Sequence, residues 1–120
     1  MAKLEFVQTK FQRNTMEKEK YRIKAKETVD NIFNQIEDLE KKRQHVSKNM
    51  KAQYDEQIAA LKARSAELEK QYKDLELSSG QAWQETKDKF SESADYFKAG
   101  LAKIAEIFEN DQREQKHGQA

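Results

Sequence analysis

The chain has 120 residues, a formal net charge of +1, 38% charged residues, three glycines and neither proline nor cysteine. Without cysteine there are no disulfides, thiolate metal sites or thiol nucleophiles, and without proline the strongest internal helix stop is missing. A hydrophobic share of 36% is low for a globule, but it suffices where apolar residues form narrow helical stripes, each of which needs a facing stripe.

Residues 1–20 read as an N-terminal amphipathic and connector segment. Leu4, Phe6, Val7 and Phe11 recur at helical spacing, and the stretch 12–24 is dominated by Lys, Arg, Glu and Gln. No apolar core of a signal peptide occurs here, and no run approaches the roughly 20 apolar residues that span a bilayer. The expected location is the cytoplasm.

One long helix is expected over residues 21–77. Tyr21, Ala25, Val29, Ile32, Ile36, Leu39 and Val46 recur in steps of three and four, with Phe33 beside them, which places them on one helical face. Arg43 interrupts the heptad, its alkyl stem being able to cover the seam. Met50, Tyr54 and Ile58 add a further step of four, and Leu61, Ser65, Leu68, Tyr72 and Leu75 resume the pattern. The added step reads as a stutter within a continuous helix, since Ser47-Lys48-Asn49 offers neither glycine nor proline for a turn.

The corner falls at residues 78–80, Ser78-Ser79-Gly80, where Ser78 and Gln81 fit a capping box and Gly80 suits a helix end. A C-terminal amphipathic helix follows over 81–111, with Trp83, Phe90, Ala94, Phe97, Leu101, Ile104 and Phe108 as its stripe. Trp83, Ala94 and Ala105 repeat every eleven residues, as do Thr86, Phe97 and Phe108, a period that keeps a stripe nearly straight. Residues 112–120 read as a polar, frayed tail.

The expected fold is therefore all-α, a long-helix antiparallel hairpin or coiled coil. A helix over 21–77 would be about 85 Å long at 1.5 Å per residue. The last helix would cover only its second half, leaving the stripe from Tyr21 to Leu39 facing water. That motivates a homo-oligomer, most simply an antiparallel dimer. The alternative places a turn near Ser47, giving three helices of about thirty residues in a monomeric bundle. The interaction seam comprises Val29, Ile32, Ile36, Leu39, Val46, Ile58, Leu61, Leu68, Leu75, Trp83, Phe90, Phe97, Leu101 and Phe108.

Chemistry-bearing motifs are few. Glu114 and His117 spell E-x-x-H, but a di-iron bundle needs a second such motif, and the other histidine, His45, follows Lys42 instead. Serines 47, 65, 78, 79, 91 and 93 have no histidine and acid in a recognisable relation to them, and no phosphate-binding glycine loop is present. No catalytic residue, metal ligand or cofactor is assigned. The basic residues Lys10, Arg13, Lys18, Lys20, Arg22, Lys24 and Lys26 alternate with Glu17, Glu19 and Glu27, which disfavours nucleic acid as a partner. In the last helix, aromatics on one face with lysines at 87, 89, 98 and 103 suit a lipid surface. The same stripe reads first as the hairpin's core, because facing stripes are available in the same chain.

Ser79-Gly80-Gln81-Ala82-Trp83-Gln84-Glu85-Thr86-Lys87, with Phe90 and Asp95 through Leu101, resembles a family of small bacterial coiled-coil proteins labelled stress-response or apolipoprotein-like. In that family an S-G-x-A-W-x-x-L-K-x-G-F segment is followed by an A-W repeat. The resemblance covers about residues 50–108, with departures at Thr86, Lys89 and Ala94. It implies a stress-associated setting and no catalytic residues. The functional expectation is a non-catalytic scaffold acting through self-association or a helical protein partner, the alternative being a peripheral membrane-surface protein.

Overall fold

In the computed structural model the backbone is described for residues 2–118 and the side chains for residues 16–116. Four α-helices follow in order: α1 (Ala2–Lys42), α2 (Lys48–Ala63), α3 (Ser65–Leu77) and α4 (Gln81–Gly118), with a 3-10 turn at Arg43–His45. α2 and α3 form one rod, interrupted at Arg64 by a single tightened turn in which its N–H donates to the Leu61 carbonyl at 3.1 Å. Three long rods therefore pack side by side. The radius of gyration is 20.4 Å and the extents are 78 × 25 × 17 Å, against about 14 Å for a compact chain of this length.

Contacts at the two ends fix the directions. Tyr21 meets Trp83 and Phe90 at one end, and Ser47 meets Asp111 at the other. α1 and α4 thus run parallel, with the α2–α3 rod antiparallel to both.

The all-α expectation holds, and the arrangement found is the three-helix one with a turn near Ser47. The continuous helix over 21–77 is corrected: α1 ends at Lys42 and α2 begins at Lys48. Val46 (φ −83°, ψ 135°) and Ser47 (φ −62°, ψ 154°) reverse the chain in extended conformations open to any residue, so neither glycine nor proline is needed. The step Met50, Tyr54, Ile58 belongs to a new helix and is no stutter. Arg43 leaves the seam as well, and its guanidinium donates to both Asp55 carboxylate oxygens at 2.6 and 2.8 Å.

With the chain reversed twice, the stripe expected to face water is covered from within. Ala25, Val29, Ile32, Ile36 and Leu39 are buried in one cluster with residues from every other helix. Steps of three and four put these side chains on one α1 face, and full burial of a Val, Leu or Ile side chain contributes about 1.5–3 kcal/mol. Gly100 of α4 faces Leu61 so closely that an added Cβ would lie 2.6 Å from a Leu61 methyl, which accounts for a glycine inside a helix despite its low propensity.

The second corner lies where expected, at Ser78-Ser79-Gly80, with Gly80 at φ +62° in the left-handed region. The capping box is corrected. Ser78 instead ends α3: its N–H donates to the Asp74 carbonyl at 2.8 Å and its hydroxyl to Leu75 at 3.4 Å. The last helix also runs past 111 to Gly118, and within the expected frayed tail Gln112 and Gln115 are docked on the His45 carbonyl. The N-terminal segment is helical from Ala2, continuous with α1. The side chains of Leu4, Phe6, Val7 and Phe11 lie outside the described residues.

Candidate interaction surface

The sequence seam is the intramolecular core. Val29, Ile32, Ile36, Leu39, Val46, Ile58, Leu61, Leu68, Leu75, Trp83, Phe90, Phe97 and Leu101 are all buried. Phe108 is half-buried, its ring 6.5 Å from that of Tyr54 with the Lys42 ammonium 5.3 Å above it. Ile107 takes the core position that periodicity had given to Phe108 alone.

Polar groups cluster at the two ends of the bundle. At the first corner Asp111, 2% exposed, accepts from the Ser47 N–H at 2.9 Å, the Ser47 hydroxyl at 2.5 Å and the Gln115 amide at 2.8 Å. Burial pushes its carboxyl up, but the hydrogen bonds from Ser47 and Gln115 outweigh this and leave it below its ordinary value. Gln112 and Gln115 also donate to the His45 carbonyl at 2.8 and 3.2 Å. The hydroxyl of fully buried Tyr54 donates to the Leu39 carbonyl. Burial, with a smaller effect of Asp55, pushes that phenol up to about 12.

At the second corner Arg22 reaches across from α1. Its Nε donates to the Leu75 carbonyl at 2.9 Å and an Nη to the Ser78 carbonyl at 3.1 Å. Its guanidinium lies 5.1 Å from the Trp83 ring centroid, and Glu19 pairs with it at 3.5 Å. A cation at the carbonyl end of α3 satisfies orphan acceptors and opposes the helix dipole. Beside it Tyr21 is edge-on to Trp83 at 5.8 Å, and its hydroxyl is 2.8 Å from that of Ser91.

Large apolar side chains are exposed around this corner. Met16, Ile23 and Leu77 are 59%, 54% and 84% exposed, with Tyr96 farther along at 42%. Because Trp83 sits level with Lys18 to Arg22, the α1 segment from Ala2 to 15 runs ahead of the corner by about 20 Å at 1.5 Å per residue.

His45 is exposed, far along the chain from Ser65, Ser78 and Ser91, which bond to local carbonyls or to Tyr21. Among the described residues no group of three or more His, Asp or Glu is placed to hold a metal ion. The side chain of His117 lies outside them. No described helix is long and apolar enough to cross a membrane.

Sequence reading missed Arg22 and Asp111. Asp111 left a signal: it is the next step of three after Phe108 on the α4 stripe, a carboxylate at a core position. Arg22 left none, since its partners are backbone carbonyls more than fifty residues away. No family model, no curated protein and no solved structure matches this chain.

Proposed function

We propose that the protein is a non-catalytic helical interaction module of the scaffold or adaptor kind, acting by helix–helix association with a second copy or another helical protein. The stress-associated setting is the one implied by the resemblance to small bacterial coiled-coil proteins, and the cytoplasm is the location expected from the sequence. The observation that carries the reading is the overrun of α1: about four helical turns extend past the second corner, where Met16, Ile23 and Leu77 are also exposed. Helices that end level with their bundle bury their stripe within it, whereas a helix that overruns its bundle offers a surface to a further helix. The stripe from Tyr21 to Leu39 no longer supports dimerisation, being buried within the chain.

Light scattering over a range of concentrations tests this, comparing the full chain with a variant lacking residues 2–15 and with Ile23→Glu. A dimer or larger species that both changes convert to monomer is the expected result. A full chain that stays monomeric and recovers no helical partner in pull-down would defeat the proposal.

A second reading is peripheral lipid binding through α4, supported by the placement of Trp83, Phe90 and Phe97 on one face with Lys87, Lys89, Lys98 and Lys103 along the same helix. Since those aromatics form the core, α4 would have to leave the bundle to meet lipid. Liposome flotation with and without Trp83→Ala decides it: equal or absent flotation removes the reading.

A further inference from the structure

Between α1 and the first turns of α4 lies a cleft of about 510 Å³, lined by Glu17, Lys18, Tyr21, Trp83, Gln84 and Lys87. Three cations converge on its two rings. The Lys18 ammonium is 5.7 Å and the Arg22 guanidinium 5.1 Å from the Trp83 centroid, and the Lys87 ammonium is 5.0 Å from that of Tyr21. Lys18 and Lys87 are half-buried, whereas nearly all other described lysines are exposed. Neither pairs with a carboxylate among the described residues, although Glu17 lines the same cleft.

A partly desolvated ammonium without a counter-ion is unfavourable, and the faces of the rings offset only part of that cost. Arg22 is already committed to the Leu75 and Ser78 carbonyls and to Glu19. Lys18 and Lys87 therefore hold the unused donors. The first turn of α4 contains no acidic residue, so the positive end of its dipole adds field of the same sign.

We propose that this cleft binds a phosphate monoester, free or as the headgroup of a lipid, held between the Lys18 and Lys87 ammoniums beside Trp83. Two mobile point charges on opposite walls suit a compact dianion. Glu17 limits the affinity by repulsion. The site forms in the closed bundle, so it differs from a lipid contact made by released α4, and it does not depend on self-association.

The full-length protein is titrated with glycerol 3-phosphate, and separately with phosphatidylcholine vesicles with and without phosphatidic acid, at constant ionic strength. Calorimetry reports binding, and emission from Trp83, the sole tryptophan, reports its place. Saturable binding is expected to weaken about tenfold in Lys87→Gln and further in Lys18→Gln/Lys87→Gln, and to tighten a few-fold in Glu17→Gln, with circular dichroism verifying that each variant is folded. A response to glycerol 3-phosphate identifies a soluble monoester, and a response confined to phosphatidic acid vesicles identifies a headgroup. Absence of heat in both arms, or binding by Lys87→Gln equal to that of the unaltered protein, overturns the proposal.

Discussion

The two corners of this bundle solve the same problem with opposite resources. Ser78-Ser79-Gly80 reverses the chain through a left-handed glycine and hydrogen bonds to the preceding turn of α3, and Arg22 then clamps it from outside. Residues 43–47 contain no glycine, pass from a 3-10 turn into extended Val46 and Ser47, and leave the His45 carbonyl and the Ser47 N–H and hydroxyl for others to satisfy. Those others are Asp111, Gln112 and Gln115, more than sixty residues later. One corner is written locally, and the other is completed by α4.

Substitutions can break that contrast. The largest effect is expected from Asp111→Ala, which strands the Ser47 N–H and hydroxyl in a partly buried site. A loss of about 2–4 kcal/mol should appear in urea denaturation. The same clasp responds to acid. Because the Asp111 carboxyl titrates below its ordinary value when folded, its contribution is present above the unfolded value near 4 and is lost as the pH falls through the folded one. Thermal melts across that window should fall more steeply for the unaltered protein than for Asp111→Ala. A parallel pair of curves would show that the clasp contributes nothing.

Arg22→Ala should cost less, about 1.5–3 kcal/mol, since the second corner keeps its own local bonds. Gly80→Ala comes next. An added Cβ meets nothing within 4 Å, so only the left-handed backbone opposes it, at about 1–2 kcal/mol. If Gly80→Ala proved costlier than Asp111→Ala, the ranking of the corners would be reversed. Arg43→Ala should move the denaturation midpoint least, because its pair with Asp55 is solvent-exposed and such pairs are weak.

The helical content and most of the core were legible because steps of three and four record burial wherever a helix has one apolar face. Leu68, Leu75, Phe97 and Ile104 were all placed by that rule, and all are buried. The glycine corner was legible because it carries its signal in the residues that make it. The first corner was not, since Val46 and Ser47 adopt conformations that any sequence permits, and the groups that hold them lie on α4. The apolar pattern runs through the turn almost in register, so periodicity alone joined two helices that point in opposite directions. The corner cations escaped for a related reason. Lys18 and Lys87 look like solvated surface charges until α1 and α4 are laid side by side.

The dependence of Ser47 on Asp111 bears on the order in which the protein forms during synthesis. When α1 and the α2–α3 rod have emerged from the ribosome, the reversal between them still lacks its clasp, and nearly the whole of α4 must follow before it arrives. Completion of the first reversal is thus deferred until translation has passed Asp111, and a chain truncated before Asp111 would retain its second reversal while leaving its first unsecured.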